Sequence, residues 1–312
     1  PRIAYMTYST RGCPYRCTYC CDSSLADMYA DWRLLRRRSP ENLIAEINHA
    51  RRLLPGLQAV VFMDSTFLAV RLAEIRRFSD LYRAQVGLPF FVMGTPGSIS
   101  EEKISCLVEA GLRELEMGIQ SGSAAVRRQF HRFETNDTIL KAARILRRYQ
   151  PPLSRPTYDL ISDNPYETAA DKLETLRLLY RLPRPYALNM FSLNFFPGTE
   201  MHRRAQADGL LPDETAVYRK NLVQLQPTYY NFALWAFHRG LPRPLLWLLL
   251  QPRLLQWGET VLQRPFRLLF QLITRQRARH TRRNSRAQLA RLAAQPAHSP
   301  PEHETAPTGA AA

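Results

Sequence analysis

Segments that predict β-strands alternate with segments that predict α-helices over residues 3–212 of this 312-residue chain. The strand segments are short and apolar, whereas the helical segments, such as residues 68–86, carry apolar residues at helical spacing with arginines between them. The pattern contains six such β/α units. This alternation is typical of an α/β fold in which helices cover a parallel sheet. Six units predict a partial (β/α)6 TIM-like barrel, since a complete barrel needs about eight.

Capping residues support the helical assignments. Ser39 is a typical N-cap and Pro40 a typical first helical residue, and apolar residues at helical spacing follow them. Gly111 is positioned to end a later helix. The predicted helices cover residues 39–54, 68–86, 100–111, 123–130, 136–149 and 167–182, and the predicted strands after the first cover 57–65, 89–94, 112–120, 157–162 and 186–196.

Four of the five cysteines lie close together near the N-terminus. The N-terminal residues contain no apolar run typical of a secretion signal, so we expect a reducing cytoplasmic environment and not a disulfide framework. In such a compartment a tight cysteine cluster indicates metal binding or redox chemistry. A structural zinc site usually needs two separated cysteine pairs, and this chain offers no second pair.

The spacing of Cys13, Cys17 and Cys20 is C-x3-C-x2-C, and Cys21 follows directly. Side chains of consecutive residues diverge, so Cys21 is predicted not to bind the same metal as Cys20. Iron–sulfur clusters are normally held by four cysteines, so three thiolates on a four-iron cluster leave one iron open for another ligand. The isolated Cys106 is predicted to be a small core residue, because it lies among apolar residues of a predicted helix.

With Tyr19 as its aromatic residue, the motif resembles the C-x3-C-x-aromatic-C signature of the radical S-adenosylmethionine (SAM) superfamily. Residues 7–20 are similar to the opening of the catalytic domain in its cobalamin-associated and methylthiotransferase-like branches. The resemblance covers residues 3–212 and implies that the three cysteines hold a 4Fe–4S cluster whose open iron binds SAM. It further implies reductive cleavage of SAM to a 5′-deoxyadenosyl radical that abstracts hydrogen from a substrate. The electron would come from a donor such as a flavodoxin or ferredoxin.

Four segments that follow predicted strands resemble SAM-binding segments of this superfamily. They are MDSTF (63–67), MGIQSGS (117–123), SDNPYET (162–168) and FFPGTEM (195–201). The third departs from the family pattern, because Ser162 and Tyr166 stand where glycines are common. The resemblance implies cofactor-binding roles for Tyr19, Asp64, Gln120, Ser121 and Ser162.

The reaction and the substrate stay open at this level. Methyl transfer and other reactions that start by hydrogen abstraction are both compatible with the resemblance. Cobalamin is an open cofactor, although the chain contains no segment that resembles its binding domain. The alternative to an enzyme is a non-catalytic iron–sulfur or zinc scaffold that binds a partner through a basic tail.

The C-terminal third is strongly basic. The chain has 43 basic and 27 acidic residues, a net charge of +16, and much of the excess follows the barrel. Residues 213–292 predict a helical basic accessory region and residues 293–312 a disordered tail. The apolar run at 245–250 is too short to span a bilayer. The basic amphipathic stretch at 241–280 either packs on the barrel, lies on an anionic membrane surface or, less favoured, binds nucleic acid. We therefore expect a cytoplasmic protein, with peripheral membrane attachment as the open question.

Overall fold

The computed structural model describes residues 3–28, 35–211, 215–219 and 223–260. The chain divides into two units, residues 1–266 and 267–312, and all described residues belong to the first. That unit contains a sheet of six parallel strands in the order β1-β4-β5-β6-β7-β8. The predicted partial (β/α)6 barrel is thereby confirmed. The strands are β1 Ile3–Thr7, β2 Thr10–Arg11, β3 Arg36–Arg37, β4 Leu57–Phe62, β5 Phe90–Gly94, β6 Leu112–Gln120, β7 Thr157–Ser162 and β8 Ala187–Ser192.

The helices follow the strands as the sequence predicts. The side chain of Ser39 accepts a hydrogen bond from the backbone of Asn42, so this residue is the expected N-cap. Thr168 begins another helix with a capping box that includes Asp171. The described helices are α1 Cys21–Met28, α2 Pro40–Leu53, α3 Leu72–Gln85, α4 Glu101–Ala110, α5 Ala124–Gln129, α6 Asn136–Arg148, α7 Ala169–Arg181, α8 Glu200–Ala207, α9 Ala216–Arg219, α10 Tyr229–His238, α11 Arg243–Leu249 and α12 Pro252–Thr260.

Three boundaries and one small sheet differ clearly from the sequence prediction. Strand β4 ends at Phe62 and β8 at Ser192, three and four residues before their predicted ends. Helix α3 begins at Leu72, four residues later than predicted, because Phe67 and Leu68 are buried in the core as part of the preceding loop. The two-residue strands β2 and β3 form an antiparallel pair beside the main sheet. Strands this short carry no periodicity that sequence reasoning could detect.

Helix α10 belongs to the packed core. Its buried residues include Tyr229, Leu234 and Phe237, and it packs against β8 and α7. Helices α11 and α12 follow it, and α12 begins at Pro252. Among the described residues, no helix is long and apolar enough to cross a membrane. The rest of the predicted amphipathic stretch and the predicted disordered tail lie outside the described residues, and the domain boundaries at 212 and 292 stay predictions.

Candidate functional site

The cysteine motif occupies the loop between β2 and α1. Gly12 enters the loop with φ of 90°, a left-handed conformation that favours glycine. Cys17 is buried, and Cys13 and Cys20 are partly buried. The backbone N–H of Cys20 donates to the carbonyl of Cys17 over 3.1 Å, and the Ser23 hydroxyl donates to the same carbonyl over 2.8 Å. The loop therefore has a defined conformation that its own hydrogen bonds support.

The environment of the thiols favours their neutral form. Burial raises the pKa of Cys13 to about 11 and the pKa of Cys20 to about 12. At Cys13 the positive charge of Arg132 acts in the opposite direction. Metal binding requires thiolates, so a bound cationic cluster would have to displace these protons. Their raised pKa values keep Cys13 and Cys20 protonated unless a metal is present.

The other two cysteines have different surroundings. Cys21 is exposed at the start of α1, immediately after the motif. Cys106 is partly buried on α4 and packs against the main hydrophobic core, which agrees with the predicted packing role. Their roles as non-ligands stay predictions.

Asp64 connects the end of β4 to the segment that leads into the cysteine loop. Its carboxylate is buried and accepts hydrogen bonds from the Ser9 backbone (3.1 Å), the Ser9 hydroxyl (2.6 Å) and the Thr10 backbone (2.5 Å). A carboxylate with three such donors is held in one position. The structure thus places Asp64 in the support of the cysteine loop, and its predicted contact with SAM stays untested.

A cavity of about 240 Å³ lies beside the motif, at the carboxyl ends of β6, β7 and β8. Tyr19, which sits between Cys17 and Cys20 in sequence, contributes to its wall and packs edge-on against Phe130 with ring centroids 4.9 Å apart. Gln120 contributes a second polar side chain from the last position of β6. The lining residues are Tyr19, Gln120, Asp159, Ile161, Phe191, Ser192, Leu193, Asn194 and Phe196.

The turn after Gln120 is pressed against α7. A Cβ atom on Gly122 would lie 2.4 Å from the Cα atom of Thr175, so only glycine fits there. The backbone N–H of Gly122 donates to the Thr175 hydroxyl over 2.9 Å, and the Ser121 hydroxyl lies 3.1 Å from the same oxygen. Gln120 itself has a positive φ of 67°. The close packing fixes the turn that carries Gln120.

The five predicted SAM contacts therefore fall into two groups. Tyr19 and Gln120 line the cavity. Ser121 is fully buried against α7, and Ser162 is fully buried with its hydroxyl donating to Asn231 of α10 over 2.5 Å. Together with Asp64, these two serines bond to other parts of the chain. These three side chains therefore help to hold the carboxyl edge of the sheet in place around the cavity.

Sequence reasoning missed Arg132, a buried cation near the motif. Its guanidinium donates to the carbonyl of Gly118 over 2.8 Å and to both carboxylate oxygens of Glu134 over 3.2 Å. It also lies 5.8 Å from the centre of the Tyr15 ring in the cysteine loop. Arg132 thus brings positive charge to the cysteine loop, where an anionic group would be stabilised.

Sequence reasoning also missed a pair of acidic residues on neighbouring strands. Glu116 of β6 and Asp159 of β7 both accept hydrogen bonds from the side-chain amide of Asn189 on β8, over 3.0 Å and 3.2 Å. Burial and the neighbouring Glu116 raise the pKa of Asp159 to about 8. Asp159 is therefore largely protonated at neutral pH and presents to the cavity a carboxyl group that can donate a hydrogen bond.

The raised pKa of Asp159 predicts a pH dependence of stability. The unfolded chain loses this proton near an ordinary aspartate pKa of about 3.9, whereas the folded protein keeps it up to about 8. Between these two pKa values the unfolding free energy falls as pH rises, by up to about 1.4 kcal/mol per pH unit, because only the folded state keeps the Asp159 proton. We expect Asp159→Asn to flatten the decline of the unfolding free energy with pH, measured by urea unfolding without SAM. Exposed Asp80→Asn is the control, and equal slopes for wild type and Asp159→Asn would contradict the assignment.

The donors that the loop supplies are three thiols, the usual ligands of an iron–sulfur cluster. Within the described part of the chain, no three His, Cys, Asp or Glu side chains are arranged to hold one ion. The cysteines of a four-iron cluster each bind a different iron, so they surround a larger group and do not converge on one point. Beside them, the buried hydroxyl of Ser192 lines the cavity without a hydrogen-bond partner among the described residues. The side chains of Gln120 and Asp159 in the same wall give the cavity polar groups that suit a polar ligand.

Comparison with known proteins supports the assignment of the cysteine motif. The family model described as the radical SAM superfamily matches residues 7–179. A curated relative from Moorella thermoacetica, tRNA-2-methylthio-N(6)-dimethylallyladenosine synthase, is 27% identical over 241 residues. The match covers 72% of this chain and 49% of the relative, so the chain spans about half the length of that protein.

Two solved structures share the fold. The radical SAM methyltransferase TsrM from Kitasatospora setae, solved with cobalamin and a 4Fe–4S cluster, has a TM-score of 0.53 at 15% identity; the match covers 66% of this chain and 39% of TsrM. Coproporphyrinogen III oxidase (HemN) from Escherichia coli has a TM-score of 0.51 at 21% identity, with 70% of this chain and 50% of that one covered. At such identities the likeness concerns the fold alone.

Proposed function

Because this chain belongs to the radical SAM superfamily, whose family model matches more than half of it, we propose that it is an enzyme that reductively cleaves SAM to start a reaction on a substrate. The superfamily uses a 4Fe–4S cluster and SAM. The observation that carries the proposal is the position of three partly or fully buried cysteines on one loop, next to a cavity at the carboxyl ends of parallel strands. In α/β barrels the chemistry takes place at this edge.

Cys13, Cys17 and Cys20 would hold the cluster. When bound, the cluster supplies the electron that cleaves SAM to methionine and a 5′-deoxyadenosyl radical. Beside it, the buried guanidinium of Arg132 provides positive charge for an anionic group. Asp64 keeps the loop in place through Ser9 and Thr10.

Gln120 and Asp159 would bind the polar part of SAM. Both line the cavity next to Tyr19, and the rigid turn at Gly122 limits where the Gln120 side chain can lie. A protonated Asp159 can donate a hydrogen bond and the Gln120 amide can donate or accept, so together they suit a ligand with both kinds of polar atom. The apolar residues of the wall, such as Phe191 and Phe196, would exclude water from the reacting group.

The reaction that we propose on the substrate is methyl transfer, or another reaction that begins with hydrogen abstraction from an unactivated position. Support comes from the sequence relative in Moorella thermoacetica, which is a tRNA methylthio-modifying synthase. The substrate is unidentified, and cobalamin stays an open cofactor. An electron donor such as a flavodoxin or ferredoxin would complete the system.

Uncoupled cleavage of SAM tests the proposal without a known substrate. We expect protein loaded anaerobically with iron and sulfide to convert SAM to 5′-deoxyadenosine and methionine once dithionite is added, measured by chromatography. Gln120→Ala should keep its iron but bind SAM about tenfold more weakly, since one or two hydrogen bonds to the ligand are lost.

The control for Gln120→Ala is Gln150→Ala, because that residue lies at the opposite end of the barrel, after α6. Equal SAM affinity in wild type and Gln120→Ala would contradict the assigned SAM site. A fully loaded protein that yields no product, and whose spectrum does not respond to SAM, would instead favour a non-catalytic scaffold.

A further inference from the structure

Helices α11 and α12 bury few of their side chains. Leu246 and Leu255 are buried in the core. Four large apolar residues of the same helices are instead about half exposed; this tryptophan surface consists of Leu245 (51%), Trp247 (57%), Leu248 (49%) and Trp257 (56%). Large apolar side chains exposed on two consecutive helices are candidates for an interaction surface.

The charge near the tryptophan surface is mainly positive, although α12 contains Glu259 and the adjacent α7 carries Glu174. Arg239, Arg243 and Arg253 are exposed on or beside the two helices. The sequence contains no acidic residue from 215 to 258. The guanidinium groups of Arg239 and Arg243 lie 5.7 Å and 5.5 Å from the rings of Trp235 and Tyr180, so aromatic faces accompany these charges. An anionic partner fits this surface.

We propose that the tryptophan surface docks on an anionic lipid bilayer. Tryptophan is enriched at the boundary between lipid and water, leucine inserts among acyl chains, and arginine pairs with anionic headgroups. Single-stranded RNA would use the arginines and could stack on the tryptophans, but it would leave Leu245 and Leu248 without a role. Helix α11 and the described residues of α12 are each shorter than a bilayer-spanning helix, so the proposed contact is with the bilayer surface.

The two helices are firmly attached to the barrel. The Tyr229 hydroxyl of α10 donates to the carbonyl of Leu249 over 3.1 Å, and Gly258 of α12 packs directly on the Tyr229 ring. Asn231 of α10 in turn donates to the Asp163 carboxylate over 2.7 Å, just beyond β7. A bilayer bound by α11 and α12 would therefore hold the barrel in a defined orientation.

Vesicle sedimentation with the full chain tests this proposal. We expect the protein to sediment with vesicles of phosphatidylcholine and phosphatidylglycerol, and to do so much less with phosphatidylcholine alone. Trp247→Ser and Trp257→Ser should each weaken the partition coefficient about tenfold, because an inserted aromatic ring is lost. Arg243→Glu combined with Arg253→Glu should also weaken it, and added salt should reduce binding of the wild type only partly.

Matched controls separate this surface from general adhesion. Leu53→Ala and Arg71→Ala alter an exposed apolar and an exposed basic residue elsewhere on the barrel and should bind as wild type does. Circular dichroism checks that each variant is folded, and the charge-reversal variant keeps the test decisive if a tryptophan variant does not fold. Failure of the full chain to bind anionic vesicles would overturn the proposal, as would undiminished binding by folded variants. Tight RNA binding that depends on Trp247, without vesicle binding, would assign the surface to nucleic acid.

Discussion

Replacing Cys13, Cys17 or Cys20 by alanine is expected to abolish the cluster. Anaerobic reconstitution of the wild type should give about four irons per chain, as three cysteines and one open iron position require. Each alanine variant loses one of the three thiolates proposed to hold the cluster, so its iron content and the visible absorbance of the cluster should fall to near background. Iron and sulfide analysis together with the absorbance spectrum measure this result.

Cys21→Ala is the matched control for these variants. It removes a thiol directly beside the motif, but one that is exposed at the start of α1. We expect it to keep most of its iron. Loss of the cluster in Cys21→Ala, with iron retained in one of the other three variants, would refute the ligand assignment. Stoichiometric zinc in the wild type would instead favour a structural metal scaffold.

The features that the sequence predicted well are those that short segments encode. The cap at Ser39 and the apolar periodicity of the helices depend on residues close in the chain. The cysteine motif is also local, and the turn at Gly122 could be recognised from its resemblance to a family segment. These local features are sufficient to predict the fold class and the region of the chain that forms the site.

The features that the sequence could not predict depend on contacts between residues far apart in the chain. Asp64 bonds to Ser9, 55 residues away, and Ser162 bonds to Asn231, 69 residues away. Their positions after strands suggested ligand contacts, and nothing local reveals that the chain itself supplies their partners. Asp159 meets Glu116 only because the register of β6 and β7 brings them together. Register between parallel strands cannot be read from either strand alone.

Asp64→Ala is expected to have the second large effect, because the Asp64 carboxylate supports the cysteine loop. In Asp64→Ala the buried N–H groups of Ser9 and Thr10, together with the Ser9 hydroxyl, would lose their acceptor. A buried donor without a partner costs about 1–3 kcal/mol, so we expect the unfolding free energy to fall by about 3–5 kcal/mol. Urea unfolding under anaerobic conditions measures this. Iron loading should also fall, because the segment leading into Cys13 is no longer held.

Asp80→Ala provides the matched comparison, because Asp80 is exposed and its contact with Arg83 is a surface ion pair of 3.4 Å. We expect that variant to change the unfolding free energy by less than about 1 kcal/mol and to load iron normally. The two substitutions remove the same chemical group, so their difference isolates the buried hydrogen bonds. An Asp64→Ala protein as stable as Asp80→Ala, with full iron, would show that the loop keeps its conformation without this carboxylate. A stable Asp64→Ala protein that loads iron but binds SAM poorly would instead support the ligand contact that the sequence resemblance implied.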